Sequence, residues 1–424
     1  MVIATGSPLT LDAHASRAWA RRFARTTPGL VVLIAVAVAA LCIVAGVVCA
    51  AALNGRIAEQ KAVLEHSEPF AYAAQNLYAA SSAADAAAAT AFLSGGNQTP
   101  LMRARYEQAL ASAASALADA TAGAPDADTR KALAQVSAHL ATYTGLVEAA
   151  RANNVHGFPV GSAYLREASS SMQNDLLPGA EKIYAADLAR VDQAQRRVGS
   201  LPKAGLALLV IAFAAIVTGS VIMFRRTNRT LNLGLVAAGV IAVVVTGAIV
   251  GGVRLAAGDI EQGRTEGTAR FGQLAEARIL AQQARTDETL QLITRGDITA
   301  SEKSFFGHID DLAARIGSSS PAASEAVEEW VASHRMQVEA YRAGDYPGAV
   351  AQALGTDPGA SGAQFAVVET SLRDAIEQSR TTMRGYVSDA GRYLAWTPTM
   401  TLVLMASAAA AAVVGLWPRL REFL

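Results

Sequence analysis

Four uninterrupted apolar blocks constrain the fold of this chain more than any other feature of its sequence. None contains a charged residue, and they lie at Leu30–Leu53, Ala204–Phe224, Leu233–Val253 and Thr397–Pro418. Each is about 20 residues long or longer, which is the length a helix needs to cross a hydrocarbon core roughly 30 Å thick. A buried helix of a soluble protein would normally show a polar face. The blocks therefore predict four transmembrane helices.

The first block also has features of a secretory signal peptide. Arg21, Arg22 and Arg25 precede it, and Ala50–Ala52 could imitate a cleavage site. Its apolar core is nevertheless longer than the roughly 7–15 residues of a typical signal. We therefore expect an uncleaved membrane anchor.

The charge of the pieces between the blocks predicts their orientation. Residues 1–29, 225–232 and 419–424 together carry nine basic and two acidic residues, whereas 54–203 and 254–396 have net charges of −1 and −6. Short basic flanks stay in the cytoplasm. We therefore expect a cytoplasmic tail, loop and stub. The two long pieces, named here the first segment (54–203) and the second segment (254–396), are expected outside the membrane.

The predicted cytoplasmic pieces are too small for most signalling outputs. A tail of 29 residues, a loop of eight and a stub of six cannot hold a kinase, cyclase, nucleotide-binding or DNA-binding domain. Nucleic acid is therefore not an expected partner, and any cytoplasmic output is expected to come from a separate protein.

Enzymatic motifs are absent from the sequence. There is no phosphate-binding loop, no GxSxG, no HExxH and no GxGxxG. The six histidines are scattered, and none is spaced from another histidine or a cysteine as metal ligands are. We expect no catalytic residue, no metal and no cofactor.

The two segments resemble each other, which indicates an internal duplication. The matching stretches occur in the same order: 56–60 with 259–262, 92–95 with 292–296, and 150–154 with 341–345. In this alignment Asp85, which lies in an alanine-rich stretch, corresponds to Asp287. The offset falls from a little over 200 residues to about 190, so one modest deletion separates the copies.

Both segments have helical apolar periodicity and almost no alternating pattern typical of strands. Helix-breaking residues divide them at Gly95–Pro100, Gly123–Pro125, Asn153–Gly161, Gly296–Thr299, Gly317–Pro321 and Gly344–Gly362. Four helices per segment fit an up-down bundle. The predicted fold is all-α, with four transmembrane helices and two tandem extracytoplasmic four-helix bundles.

This layout resembles the membrane-anchored four-helix sensor domains of bacterial chemoreceptors and histidine kinases. Ala150–Ser169, followed by Met172 and Leu176–Pro178, is similar to stretches of actinobacterial membrane proteins, and the duplicated four-span layout resembles their GlnX-type proteins. The resemblance implies amino-acid sensing. It also implies two partners, a glutamine-type solute-binding lipoprotein outside and a soluble Ser/Thr kinase inside.

Two acidic residues are candidates for ligand binding. A carboxylate at Asp85 or Asp287, on the small face of a bundle, could bind a ligand amine. Either could also pair with an arginine such as Arg103 or Arg105. The alternative is a solvated or salt-bridged residue on an ordinary helix.

The third connection of each segment is a second candidate site. In an up-down bundle this connection lies at the end distant from the membrane, where a partner protein could dock. The residues concerned are Arg151, Asn153, Asn154 and Arg166 around 153–164, and Arg342 and Asp345 around 344–362. The alternative is a plain loop.

Three arginines occupy the predicted cytoplasmic loop. Arg225, Arg226 and Arg229 are expected to contact anionic lipid headgroups. They could also form a small docking surface for a cytoplasmic protein, although orientation alone accounts for them.

These features together predict a transmembrane signalling component. It would sense a solute, or a solute-binding protein, outside the membrane and report this to a separate protein inside. A structural scaffold of the envelope is the main alternative. An unusual transporter is disfavoured, because ion and proton pathways usually require ionisable groups within the spans.

Overall fold

A computed structural model describes residues 27–94, 100–227, 232–294 and 296–421. Much of the expected tail and loop, including Arg229, lies outside these residues. All regular elements in the described ranges are helices. They are α1 (Thr27–Ala62), α2 (Glu68–Leu93), α3 (Pro100–Gly123), α4 (Ala127–Val155), α5 (Val160–Ser171), α6 (Leu177–Val198), α7 (Lys203–Thr227), α8 (Leu233–Gln262), α9 (Arg270–Thr294), α10 (Thr299–Ile316), α11 (Pro321–Arg342), α12 (Tyr346–Leu354), α13 (Ser361–Ala395) and α14 (Thr397–Arg421). The prediction of an all-α chain is confirmed.

The four apolar blocks lie in α1, α7, α8 and α14, and all four helices are long and apolar enough to cross a membrane. The chain is therefore a multi-pass membrane protein, as predicted. In two cases helical structure continues from the apolar block into the next helix. It runs from Gly29 in α1 to Leu93 at the end of α2, and from Leu233 in α8 to Ile293 near the end of α9. The remaining helical residues belong to the two long segments.

The chain divides into two compact units. The span unit comprises Met1–Ala58, Val198–Gly258 and Asp389–Leu424, and the bundle unit comprises Glu59–Arg197 and Asp259–Ser388. Both segments therefore contribute to a single bundle unit. A four-helix bundle in each segment stays a prediction.

Within the span unit, small residues allow helices to approach closely. A Cβ atom added to Gly234 of α8 would lie 2.6 Å from the Cα of Gly415 in α14. The side-chain amide of Asn232 donates a hydrogen bond to the carbonyl of Gly415 at 2.8 Å. Since neither glycine has a side chain, the two backbones touch at this point, as small residues permit in membrane helix pairs.

The core of the bundle unit draws on both segments. Phe70 and Tyr143 of the first segment belong to the same buried cluster as Phe271 and Trp330 of the second. Most of the α2 side chains in this cluster are alanines, which allow neighbouring helices to pack closely. The two segments are stabilised by one shared apolar core rather than by one core each.

Side-chain caps explain where several helices begin. Asp126 accepts a hydrogen bond from the backbone N–H of Thr129 at 2.7 Å, and Ser320 accepts one from Ala323. Such caps satisfy N–H groups that have no partner within the helix. The predicted breaks at Gly123–Pro125 and Gly317–Pro321 are confirmed.

Two of the predicted connections are shorter than expected. Helix α4 continues to Val155 and α5 begins at Val160, because the turn is made at Gly157, whose φ is +69°. The stretch 344–362 is not a plain loop but contains α12. Asp345 caps this helix by accepting a hydrogen bond from the N–H of Gly348 at 2.9 Å.

The internal repeat is visible in the structure with a constant offset over its first helices. A π-helical segment begins at Val63 in one copy and at Gly263 in the other, 200 positions later. The order of buried and partly buried positions along 81–90 is repeated without a difference along 281–290. At this offset Asp85 corresponds to Arg285. The sequence alignment of Asp85 with Asp287 was wrong by two residues.

Candidate functional site

Asp85 is buried inside the bundle unit with incomplete hydrogen bonding. It lies on α2, is 2 % exposed, and accepts a hydrogen bond from the Ser169 hydroxyl at 2.7 Å. Its second carboxylate oxygen, Oδ1, has no hydrogen-bond partner in the described part of the chain. Burial raises the pKa of Asp85 to about 6, although the nearby Ser169, Tyr143 and Gln173 side chains each act to lower it.

Two tyrosines share the interior with Asp85. The hydroxyls of Tyr106 and Tyr143 are buried and have no hydrogen-bond partner among the described residues. Tyr106 also lines a small cavity of about 30 Å³, which has room for about two water molecules. The expected pairing of Asp85 with Arg103 is not found, since Arg103 binds Glu107 at 2.6 Å.

Asp287 has a different environment from Asp85. It is only partly buried, and it accepts hydrogen bonds from the Ser304 hydroxyl at 2.7 Å and from His308 Nδ1 at 2.9 Å. These contacts connect α9 with α10. The structure therefore shows Asp287 as a residue that joins two helices.

Three of the candidate residues near the third connection of the first segment form hydrogen bonds or ion pairs with nearby groups. Asn153 donates to the carbonyl of Ala149, Asn154 donates to the carbonyl of Phe92, and Arg151 pairs with Glu148. Arg166 is exposed on α5. An apolar patch also lies here, because four large side chains are exposed: Val155, Phe158, Val160 and Tyr164.

The other candidate residues are dispersed. Arg342 is exposed at the end of α11, and Asp345 is occupied as the cap of α12. Arg225 is exposed near the end of α7, and Arg226 lies in the same helix. Within the bundle unit, neither Arg342 nor Asp345 pairs with Asp85 in the described structure.

The most heavily buried charges were missed by sequence reasoning. Glu288 is fully buried, and its carboxylate contacts Arg285, Ser361 and His334 Nδ1, the last at 3.0 Å. The other imidazole nitrogen of His334 lies 2.9 Å from Glu302. These four ionisable side chains, Arg285, Glu288, Glu302 and His334, are named here the buried ion network.

The pKa values of Glu288 and His334 are set by their ion pairs and hydrogen bonds. Burial alone would raise the pKa of Glu288, but Arg285, His334 and Ser361 lower it to about 2. Burial alone would lower the pKa of His334, but its hydrogen bonds with Glu288 and Glu302 raise it to about 9. At neutral pH Glu288 is therefore ionised and His334 is protonated. In the sequence, Arg285 and Glu288 have the spacing of an ordinary exposed helical pair.

A large cleft in the bundle unit lies along α2 and α3. It has a volume of about 810 Å³, which falls in the range of small-molecule sites. Its polar lining includes Glu65, His66, Asn76, Asp119, Arg278 and Arg380. It is named here the α2–α3 cleft. Because the two arginines come from the second segment, the cleft is built by both halves of the repeat.

The polar groups of the α2–α3 cleft differ in their availability to a ligand. Arg380 packs 4.0 Å from the ring centroid of Tyr72 and pairs with Glu68, and Arg278 pairs with Glu369. By contrast, no hydrogen-bond or ion-pair partner is found for the side chains of Glu65, Asn76 and Asp119 in the described parts of the chain. The available groups are therefore two carboxylates and an amide, which suit a polar solute that carries an amine.

Comparison with known proteins gives one match. Residues 59–196 match the model of the actinobacterial sensor domain, a family described by that name. This part of the chain includes α2–α5 and most of α6. No curated protein and no solved structure is similar enough to the chain to count as a match.

Proposed function

We propose that this protein is a transmembrane sensor whose bundle unit lies outside the membrane and binds a small polar solute in the α2–α3 cleft. The cleft is the observation that carries the proposal. Its size fits a solute, and its walls come from α2 and α3, which lie in the region similar to a sensor domain. The available groups at Glu65 and Asp119 favour a solute with a cationic amine, such as an amino acid.

The relay would use helices that continue from the spans. Helical structure is unbroken from Gly29 to Leu93 and from Leu233 to Ile293. A solute that binds one packing of α2 and α3 better than another shifts the population toward that packing. The proposed receiver is a separate cytoplasmic protein such as a Ser/Thr kinase. Anionic lipids would be contacted by Arg225 and Arg226.

Solute binding is tested with the full-length protein in lipid nanodiscs. Free amino acids and simple amines are titrated by calorimetry against the wild type, Asp119→Asn and a matched control, Glu325→Gln. Glu325 is exposed on α11 and does not line the cleft. We expect at least a tenfold weaker affinity for Asp119→Asn and no change for the control. If no solute of either class binds the wild type, the proposal fails.

The orientation is tested separately in intact cells. A cysteine placed at the exposed Phe158 is treated with a membrane-impermeant maleimide, and the native Cys42 and Cys49 are buried. Labelling without cell lysis is expected if the bundle unit lies outside. Labelling only after lysis would reverse the proposed topology.

A second candidate function is an envelope scaffold that binds a protein without sensing. The exposed apolar patch at Val155, Phe158, Val160 and Tyr164 favours it, since contiguous exposed apolar side chains often mark interaction sites. An extracytoplasmic solute-binding lipoprotein is the partner proposed under either function. Under the scaffold function, Phe158→Ser reduces crosslinking to the partner, and no solute changes that crosslinking. Under the sensor function, a solute does change it.

A further inference from the structure

A second pocket in the bundle unit has a different charge from the α2–α3 cleft. Its volume is about 440 Å³, and it is lined by residues of both segments from α2, α3, α9, α12 and α13. It shares no lining residue with the α2–α3 cleft. It is named here the arginine pocket, after Arg105 of α3 and Arg373 of α13.

The two arginines have no acidic partner among the described residues. Arg373 donates a hydrogen bond to the hydroxyl of Thr370 at 3.3 Å. No hydrogen bond or ion pair of the Arg105 guanidinium is found in the described parts of the chain. The other charged groups of the pocket are already occupied. Arg285 is bound by Glu288 and by the carbonyl of Ala353, and Glu369 is bound by Arg278 and Gln282. Two guanidinium groups therefore face one cavity without a counter-charge.

A hydrogen-bond acceptor lies beside these cations. Gln282 is 1 % exposed, and its side-chain N–H donates to Glu369 at 2.9 Å. Its side-chain oxygen has no hydrogen-bond partner in the described structure. A buried acceptor without a donor costs free energy, and a donor brought by a ligand would remove this cost.

The rest of the wall is mostly small and apolar, so it leaves room for a ligand. Alanines supply much of it, at Ala83, Ala86, Ala87, Ala109 and Ala366. A lining of apolar residues with a few convergent polar groups is typical of small-molecule sites. The small side chains of the wall therefore leave space for a ligand, and the two arginines and Gln282 are the groups that can bind it.

We infer that the arginine pocket binds a small carboxylate that carries an adjacent O–H or N–H donor. Guanidinium groups bind carboxylates through paired, charge-assisted hydrogen bonds, so Arg105 and Arg373 hold the anion. The neighbouring donor of the ligand binds the free oxygen of Gln282. This site is independent of the proposed solute cleft, and either can fail without the other.

Binding at this pocket would connect the two halves of the repeat. Arg105 belongs to the first segment and Arg373 to the second, so an anion between them draws α3 and α13 together. Without the anion, the two like charges repel each other. Occupancy therefore stabilises the packing of the two segments within the bundle unit.

The test uses a matched pair of ligands with the full-length protein in nanodiscs. Lactate and propionate both carry a carboxylate, and only lactate has an adjacent hydroxyl. Calorimetry and the thermal unfolding temperature are measured with each, and with inorganic phosphate. We expect lactate to bind at least fivefold more tightly than propionate and to raise the unfolding temperature, and phosphate to bind more weakly than lactate.

Substitutions then locate the site. Arg105→Gln and Arg373→Gln should each weaken lactate binding at least tenfold, whereas Arg103→Gln should leave it unchanged. Arg103 is a matched control, because it lies on the same helix as Arg105 but is not in the pocket. All three arginines are exposed, so the variants are expected to fold. Gln282→Met should reduce the preference for lactate over propionate to about one.

Three outcomes overturn the inference. The first is that millimolar lactate does not bind the wild type. The second is that phosphate binds as tightly as lactate, which shows a general anion site without recognition of the donor. The third is that lactate binding survives Arg105→Gln and Arg373→Gln but is lost in Asp119→Asn. That result would move the ligand to the α2–α3 cleft, and the proposed function would remain.

Discussion

The two copies of the repeat have charged residues at equivalent buried positions, but these residues differ in their ion-pair and hydrogen-bond partners. Asp85 in the first copy is a buried carboxylate that accepts a hydrogen bond from Ser169 and has no cationic partner among the described residues. Its pKa is raised to about 6. Arg285, at the equivalent position of the second copy, belongs to a network in which Glu288 is held ionised, with a pKa of about 2. The backbone pattern of the two helices is the same, and only the partners differ.

This difference shows that burial alone does not decide the state of a charged group. A buried charge is unfavourable unless a partner and hydrogen bonds compensate it. In the first copy, Asp85 becomes protonated at mildly acidic pH, because its pKa is about 6. The second copy fixes its charges over a wide pH range.

The largest effect is expected from Glu288→Gln. This change leaves Arg285 buried without its carboxylate and removes the anion bound to His334 Nδ1. Breaking a buried pair by removing one partner costs about 3–5 kcal/mol. Denaturant unfolding of the purified protein, followed by circular dichroism, measures the loss. Glu325→Gln is the control, and a loss below about 1 kcal/mol would show that the network does not stabilise the unit.

A second effect concerns the pH dependence of the same network. The pKa of His334 is about 9 in the folded protein and 6.5 for an ordinary histidine. The folded state therefore binds the proton more tightly than the unfolded state does. The resulting contribution to the free energy of unfolding is complete below pH 6.5 and is lost as the pH rises through 9. It amounts to about 3 kcal/mol. Unfolding curves between pH 6 and 9.5 should show the decrease in the wild type, and His334→Gln should remove it.

Asp85→Asn is expected to act in the opposite direction to Glu288→Gln. The pKa of Asp85 is raised from 3.8 to about 6, so the folded state favours the protonated form. Its ionisation lowers stability progressively from pH 4 to pH 6, and the full penalty, about 2–3 kcal/mol, applies above pH 6. The neutral amide should therefore stabilise the protein at pH 7.5 and flatten this part of the pH profile. Destabilisation at pH 7.5 would contradict the assignment of Asp85 as an uncompensated charge.

The smallest effect is expected from Asp287→Asn. Its contacts with Ser304 and His308 are partly exposed, and exposed polar pairs contribute about 0–1 kcal/mol. The same unfolding measurement should give a change below about 1 kcal/mol. A loss as large as that of Glu288→Gln would place Asp287, rather than Glu288, at the centre of the second copy.

The sequence determined the main elements of the fold because their signals are local. The spans are visible as runs without charge, and the breaks at Gly123–Pro125 and Gly317–Pro321 depend on neighbouring residues. The shared core was not predictable, since it depends on which helices of the two segments meet. The buried ion network was missed for a related reason. Arg285 and Glu288 have the spacing of an exposed pair, and their burial depends on helices that are distant in sequence, such as the one that carries His334.

The candidate site was predictable only in part. Asp85 was selected because a carboxylate is unusual in an alanine-rich helix, and the structure shows it buried. The alternative pairing of Asp85 with Arg103 or Arg105 is not found among the described residues, and Arg103 pairs with Glu107 instead. At the constant offset Asp85 corresponds to Arg285 rather than Asp287, and a two-residue difference in alignment moves a side chain to another face of the helix. The polar residues near Val155 were selected as a docking loop, but the side chains of Asn153 and Asn154 donate hydrogen bonds to the backbone carbonyls of Ala149 and Phe92.

The π-helical segments have a consequence for how this chain can change in length. A π-turn contains one more residue than the α-helical turn it replaces, and each residue of an α-helix advances the direction of its side chain by about 100°. Deleting one residue from Val63–Ser67 can therefore be absorbed by closing the wide turn, so the core-facing positions of α2 keep their direction. A deletion within α2 itself would rotate all following core positions away from the core. Single-residue insertions and deletions among related chains should therefore collect at the π-turns, one of which lies at the equivalent place in each copy.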